Sequence, residues 1–341
     1  MMNKQRLAER LVTYLKPLYP DRTNLSVTSL DEINMGWETE LYTLEVDSTK
    51  NGDQIKEHRV LRVFQGDNAG RKSAKEYSLM RKLGEACYPV PRVYSHEVSG
   101  ETIGKPFIFM ERILGTTLDA AYRNEEPEEL QKGLTRLIRL FVRLHRLDIT
   151  PFKDVPELPC HDDHVQDNLD WYGRAAPEQL SWLKPVVGWL TERKPCIDPV
   201  PQSLLHMDHH GMNVMLREDG SEAVIDWGAS TIGDHRMDLG WTMLLYTTFG
   251  GEMFRDPILT GYTEQSGKEV TDIEYFEVMA ATRRIIDFAT TMDGGVDSVG
   301  LKPEVVEMMK ESKEHYQRVH DVLTARTGIR LDEFAAALDS I

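Results

Sequence analysis

Four polar residues near the middle of the chain have the types and spacing to do chemistry. His206, Asp208 and Asn213 read H-x-D-x-x-x-x-N, and Asp226 opens D-W-G at the end of the strand-like AVID segment. A carboxylate such as Asp208 can take the proton of an attacking hydroxyl. Asn213 and Asp226 offer oxygen ligands to Mg²⁺, a hard cation that prefers one or two carboxylates together with phosphate oxygens. Phosphoryl transfer from ATP is mostly positioning and charge stabilisation, so a small set of fixed groups like this suffices for it. Two other readings apply to the same residues. HMDHHGMN could be a polar loop between strands, or His206, His209 and His210 could hold a metal. Their spacing is not H-E-x-x-H and no cysteine cluster accompanies them, which argues against a zinc hydrolase.

The elements that must position these groups are legible from periodicity. After a charged amphipathic first helix, SVTSLDEINMGWETELYTLEVD alternates as two strands joined by a turn at Asn34–Gly36, and EHRVLRVFQG follows as a third. AGRKSAKEYSLMRKLGEA has helical spacing at Ala74, Tyr77, Leu79, Met80 and Leu83. YPVPRVYSHEV and KPFIFMERI then read as strands, with Phe107 and Phe109 as core. From Pro127 the pattern turns helical, with apolar residues at Leu134, Leu137, Ile138, Phe141, Val142 and Leu144. PEQLSWLKPVVGWLTERK is a further helix. SLLH, NVML and AVID give a strand–loop–strand–strand order around the polar residues. Helices resume near Asp238, with loops expected at Gly250–Gly251 and Gly294–Gly295. The expectation is an α+β fold of two lobes, residues 1–115 β-rich and residues 116–341 mainly helical.

Composition bounds the class. At 341 residues and 40% hydrophobic content the chain can bury two ordinary cores. A net charge of −16 argues against nucleic acid as a partner. No run approaches the roughly 18 apolar residues of a membrane span. The N-terminus lacks the apolar region of a signal peptide. Cys87, Cys160 and Cys196 are odd in number and scattered, as expected in a reducing cytoplasm. Oligomeric state is not legible.

The order H-x-D-x-x-x-x-N then D-W-G matches the protein-kinase signature, H-R-D-x-x-x-x-N then D-F-G. With Gly233, Asp234, Asp238 and Leu239 added, the set resembles the aminoglycoside phosphotransferase-like (choline kinase-type) small-molecule kinases more. That family shows H-G-D-x-H-x-x-N, I-D-W/F and G-D-x-x-x-D-L. MGWETELYTLEV resembles its first hairpin, VLRVF its nucleotide-binding strand, FIFMERILGTTL its hinge, and LTGYTEQSGKEV a late helix–turn. The resemblance covers about Ser26 to Asp287. It implies a protein-kinase-like fold, ATP and Mg²⁺ as cofactors, and a small-molecule hydroxyl as acceptor.

Carried over by position, the resemblance makes Asp208 the catalytic base and Asn213 and Asp226 the Mg²⁺ ligands. His206 would brace the catalytic loop, and Asp238 would hold it through backbone hydrogen bonds. Arg62 stands where a lysine commonly pairs with the ATP phosphates; it keeps the charge but not the geometry. Glu76 is its expected partner. The turn at Asn34 and Gly36 would cover the phosphates, Met110 would line the base pocket, and the backbone of Glu111 to Ile113 would bind the nucleobase. Met207 stands where the family favours glycine. For the acceptor, Asp162, Asp163, Asp170, Trp171, Tyr172, Glu274, Tyr275, Arg283 and Asp287 are candidates. Arg283 and Arg284 fit a carboxylate- or phosphate-bearing acceptor better than a cationic antibiotic. The competing class is a nucleotide-binding pseudoenzyme. A protein kinase is disfavoured, because the short interval from Asp226 to Asp238 has no room for an activation loop.

Overall fold

Alternating apolar residues build the first part of the molecule. In the computed structural model, which describes residues 4–33, 39–123, 126–175, 180–299 and 303–340, helix α1 (Lys4–Leu15) is followed by strands β1 (Thr23–Ile33), β2 (Thr39–Lys50) and β3 (Asp53–Phe64). Helix α2 (Ala69–Glu85), β4 (Val93–Glu97) and β5 (Phe107–Glu111) complete an antiparallel five-stranded sheet of order β1-β2-β3-β5-β4. Leu44, Val46, Leu61, Val63, Phe107 and Phe109 form one face of this sheet, and α1 buries Leu7, Leu11 and Leu15 against them. Phe107 and Phe109 are therefore core, as expected. The first helix, outside the family resemblance, is part of the same core. At the apolar coefficient of about 25 cal/mol per Å², each such leucine contributes roughly 1.5–3 kcal/mol.

Helix α2 buries Ala69, Ser73, Glu76, Met80 and Leu83, spaced at three to four residues along one stripe. Glu76 lies in the middle of that stripe, so the helix carries a carboxylate into an apolar surface.

The chain continues through β6 (Gly115–Thr117), α3 (Leu118–Tyr122), α4 (Pro127–His145), α5 (His164–Ala175) and α6 (Lys184–Arg193). Short strands β7 (Ser203–Leu205), β8 (Val214–Arg217), β9 (Glu222–Val224) and β10 (Thr231–Gly233) follow. The remaining helices are α7 (His235–Leu245), α8 (Arg255–Ser266), α9 (Ile273–Val299), α10 (Pro303–Glu311), α11 (Lys313–Thr327) and α12 (Asp332–Asp339). Two compact units result. The first comprises residues 1–115, 154–157 and 217–228; the second takes in the rest. Within the second, β7 pairs antiparallel with β10. Helix α7 packs closely on α9, because a Cβ on Gly240 would meet the Phe276 carbonyl oxygen at 2.8 Å. Helix α8 ends at Gly267 in the left-handed region (φ 64°), a conformation that glycine adopts without a Cβ penalty.

One expectation fails. Gly294 and Gly295 do not form a loop; α9 runs through them to Val299. Each glycine costs a helix only about 1 kcal/mol relative to alanine, too little to stop a long helix held by packing elsewhere. Among the described residues, no helix is long and apolar enough to cross a membrane.

Candidate active site

The second unit positions the H-x-D-x-x-x-x-N segment. Strand β7 ends at Leu205, and the chain turns sharply at Met207, which has φ 64°. Glycine adopts this left-handed backbone freely, so Met207 holds the turn at a conformational cost. The turn is fixed from α7. Asp234 caps that helix by accepting from the Arg236 N–H at 2.9 Å. One turn on, the buried Asp238 carboxylate accepts from the backbone N–H of His206 at 2.7 Å and of Met207 at 2.8 Å. Asp238 therefore holds the loop as the resemblance implied. Burial would push its carboxyl up, but hydrogen bonding from His145 and the nearby histidines hold it below the ordinary aspartate value.

His145 is a residue that the sequence reading missed. Its Nε2 lies 3.2 Å from Asp238 Oδ2 and its Nδ1 lies 2.8 Å from the Tyr262 hydroxyl. The available signal was a histidine four residues beyond Phe141 on the apolar stripe of α4. His206 is fully buried, its ring 5.8 Å from that of His209, which places it among the packing of the loop.

Asp208 projects from this loop half-buried. Oδ2 accepts from Asn213 Nδ2 at 3.0 Å, and Oδ1 accepts from the indole Nε1–H of Trp241 at 3.2 Å. His210 Nε2 lies 3.4 Å from Oδ2. Burial pushes the Asp208 carboxyl up, yet the hydrogen bonds and charge of His210, the charge of His206 and the indole donor outweigh it. The carboxyl is held well below the usual aspartate range. Asn213 also donates to the Asp208 carbonyl at 2.9 Å, so its amide nitrogen is committed to Asp208. Trp241 escaped the sequence reading, and His210 was weighed there only as a metal ligand, because their contacts with Asp208 form only when α7 and the loop fold against each other.

The first unit gathers a second group. On β3, Arg62 lies 3.4 Å from Glu76 on α2 and donates to Asp226 Oδ1 at 3.0 Å. Glu76 is 2% exposed. Burial holds its carboxyl above the ordinary glutamate value, an effect that the Arg62 guanidinium only partly offsets. Asp226 has φ 64°, a conformation that aspartate tolerates better than most residues, and its carboxylate is 48% exposed. Lys75 on α2 donates to the Gly228 carbonyl at 2.6 Å, a second tie to the same turn.

Along the expected hinge, Met110 packs partly buried near Phe64, Ala69 and Ile108. The expectation for the Glu111–Ile113 backbone changes in part. The Glu111 N–H donates to the Arg92 carbonyl and the Arg112 N–H to the His58 carbonyl, because both continue the sheet ladder. Ile113 lies just past the strand. The Glu111 side chain is bound at 2.5 and 3.3 Å by Arg217. Asn34 and Gly36 lie outside the described residues.

The acceptor candidates divide. Tyr172 and Tyr275 are buried and donate to the carbonyls of Met279 and Leu190, so they belong to the core. Asp163 accepts from Gln166 N–H at the start of α5 and pairs with Lys194; Asp170 accepts from the Gln166 amide. Asp162 is exposed, Trp171 is 38% exposed, and Glu274 pairs with Arg255. Arg283 lies over the Trp241 ring and near Asp287, whose carboxyl burial pushes up against the pull of both neighbouring arginines. Among the described residues, no group of three His, Cys, Asp or Glu is arranged to hold a metal.

Comparison with known proteins extends these observations. A family model described as "Phosphotransferase enzyme family" matches residues 30–273. Mouse (Mus musculus) acyl-CoA dehydrogenase family member 10 is 26% identical over 214 residues, 60% of this chain and 19% of that protein. The chain spans less than a third of the length of the curated relatives it matches. A solved structure from Ralstonia eutropha jmp134, provisionally assigned as an aminoglycoside phosphotransferase, aligns with TM-score 0.69 at 18% identity over 96% of this chain and 98% of the other. The complex of APH(2″)-IIIa with GDP and kanamycin aligns with TM-score 0.61 at 16% identity over 96% of this chain and 98% of the other. These likenesses show the α+β, protein-kinase-like fold.

Proposed function

We propose that this chain, which belongs to the phosphotransferase enzyme family, transfers the γ-phosphate of ATP to a hydroxyl of a small molecule. The observation that carries this reading is Asp208: an ionised, partly exposed carboxylate steered by Asn213 and Trp241 on a loop pinned by Asp238. In this reading Asp208 orients the acceptor hydroxyl and takes its proton, which leaves the oxygen to attack phosphorus.

Asn213 and Asp226 would hold Mg²⁺, which supplies charge neutralisation at the phosphate oxygens. The residues fit such an ion. Both donors are hard oxygens, the Asn213 nitrogen is already turned to Asp208, and the Asp226 carboxylate is half-exposed. Arg62, backed by buried Glu76, would grip the phosphates, and the turn at Asn34 and Gly36 would cover them. Met110 would line the base pocket. For the nucleobase, Ile113 and the Glu111 carbonyl are the better hinge candidates, since the N–H groups of Glu111 and Arg112 are used by the sheet. GDP in a structural neighbour supports a purine nucleotide and leaves GTP as the other donor to test. On this reading residues 1–115 form the nucleotide-binding lobe and residues 116–341 the catalytic and acceptor-binding lobe. The acceptor is an aminoglycoside-like antibiotic or a metabolic alcohol, sugar or hydroxy acid. Three scattered, exposed cysteines support a reducing compartment such as the cytoplasm.

The deciding experiment is ADP release by the full chain with MgATP across aminoglycosides, macrolides, choline analogues, sugars and hydroxy acids. Turnover with at least one class, lost in Asp208→Asn while ATP affinity persists, is the expected result. ATP binding with no transfer to any class would instead favour the nucleotide-binding module.

A further inference from the structure

Arg283 and Arg284 are neighbours on α9, and the fold sends them in different directions. Arg284 turns toward α11, where Nε donates to His315 Nε2 at 3.0 Å and the guanidinium lies 5.1 Å from the Tyr316 ring centroid. Its contacts are those of a packing residue. The Arg283 guanidinium instead lies 4.4 Å from the centroid of Trp241, the residue whose Nε1–H donates to Asp208 Oδ1 at 3.2 Å. Through one shared indole, a cation and the candidate base are held within roughly 10 Å of each other, the span of those two contacts plus the width of the ring.

Arg283 is incompletely neutralised. Its Nε is 3.9 Å from the Asp287 carboxylate, at the limit of ion-pair range, and among the described residues no shorter polar contact engages it. Its side chain is 28% exposed, and its guanidinium carbon lies over the indole. A stacked guanidinium is pre-organised, and its planar fork matches a carboxylate or a phosphate with two parallel hydrogen bonds. A cationic acceptor placed at Asp208 would instead meet like charge. Across such a distance at the effective dielectric of a protein surface, that repulsion costs on the order of tenfold in affinity. Simple packing of Arg283 on Trp241 accounts for the stack. It does not account for a partly exposed cation whose ion pair is no shorter than 3.9 Å, on the ring that also touches the base.

We infer that Arg283 is an anion anchor, and that the acceptor carries a carboxylate or phosphate a few bonds from the hydroxyl presented to Asp208. This rests on the kinase reading of Asp208 and narrows its acceptor to compact hydroxy acids or phosphorylated alcohols. The indole of Trp241 would then set the spacing between anion and hydroxyl by touching the anchor and the base at once.

The test is calorimetric titration of matched probes into the full chain with MgADP: 3-hydroxybutyrate against its methyl ester, and glycerol 3-phosphate against glycerol, with choline and kanamycin as cations. At least one anion should bind tenfold or more tightly than its uncharged partner, and which pair shows the gap separates carboxylate from phosphate. Arg283→Gln should erase the gap at an unchanged melting temperature, and Arg283→Lys should restore part of it. Equal binding within both pairs, tighter binding of a cation, or binding of neither anion overturns the inference. So does an Arg283→Gln variant that weakens charged and uncharged probes alike, which is the signature of packing. The same mixtures with ATP read the kinase proposal separately. An anion that binds through Arg283 and is never phosphorylated counts against the kinase, whereas phosphorylated choline with unchanged rate in Arg283→Gln counts against the anchor alone.

Discussion

Arg62 donates to the Asp226 carboxylate at 3.0 Å, joining a β3 cation to an acidic residue far along the chain. The same guanidinium lies 3.4 Å from buried Glu76, so one cation serves two carboxylates. A nucleotide phosphate bound here would compete with Asp226 for Arg62, while Glu76 keeps the arginine in place.

Arg62→Ala is therefore expected to weaken ATP binding about tenfold or more and to lower the melting temperature. It leaves Glu76 buried without its counter-charge, and breaking a buried pair typically costs about 3–5 kcal/mol. Arg62→Lys should keep much of the affinity, since the charge remains and only the fork is lost. Calorimetric titration with ATP and thermal unfolding measure the two effects. Unchanged affinity in Arg62→Ala would point to Lys56 or Lys72 as the phosphate cation.

Asp226→Ala should abolish Mg²⁺-dependent turnover and leave a folded chain, because it removes an exposed oxygen ligand rather than a core contact. Circular dichroism checks the fold and ADP release checks the turnover. Wild-type turnover in the folded variant would remove Asp226 from the metal site.

For Asp208, Asp208→Asn should slow transfer about 10²–10⁴-fold with nucleotide affinity nearly unchanged. The pH profile is a second check. The carboxyl is held below the ordinary aspartate value of about 3.9, so the base stays ionised throughout the neutral and mildly acid range. Its favourable interactions are fully present above the unfolded value and are lost only as pH falls through the lower folded value. No acid limb from this group should appear in kcat/KM between about pH 5 and 8. A limb with a midpoint near 6 that vanishes in Asp208→Glu would contradict the assignment.

His209 and His164 also lose stability on acidification, but starting at a higher pH. Burial is the main cause that pushes His209 down to about 3 and His164 down to about 4. Both stay neutral in the fold, whereas the unfolded chain protonates them near pH 6.5. Their contribution to stability is complete above that value and is lost as pH falls toward 4 and 3, on the order of a few kcal/mol in total. Denaturant midpoints should drop between pH 7 and 5, and His164→Phe should flatten part of the drop. A midpoint independent of pH would show that these rings are hydrated.

Met207→Gly sets two effects against each other. Glycine would relieve the left-handed backbone by about 1–2 kcal/mol. It would also forfeit about 1.5–3 kcal/mol from a side chain that is 6% exposed, and loosen the unfolded chain. Burial should win, with a net loss of about 1 kcal/mol or more by urea unfolding. A stabilised variant would show that the backbone strain dominates.

Periodicity alone located the elements around these residues. The alternation in β1–β3, the helical stripe of α2 and the apolar positions of α4 depend on local spacing, and local spacing is written directly in the sequence. The set His206, Asp208, Asn213 and Asp226 also came from short-range order, and the reading of Asp238 as a loop anchor came from the family resemblance. Only tertiary structure showed that residues 217–228 join the first unit, through Arg217 on Glu111, Val224 N–H on the Pro89 carbonyl and Asp226 on Arg62. It alone sorted the acceptor candidates, burying Tyr172 and Tyr275 in the core and turning Arg283, but not Arg284, onto Trp241. Those outcomes rest on contacts between residues tens of positions apart. Their energies depend on which helix faces meet, and single-chain spacing does not encode that meeting until α7 packs on α9.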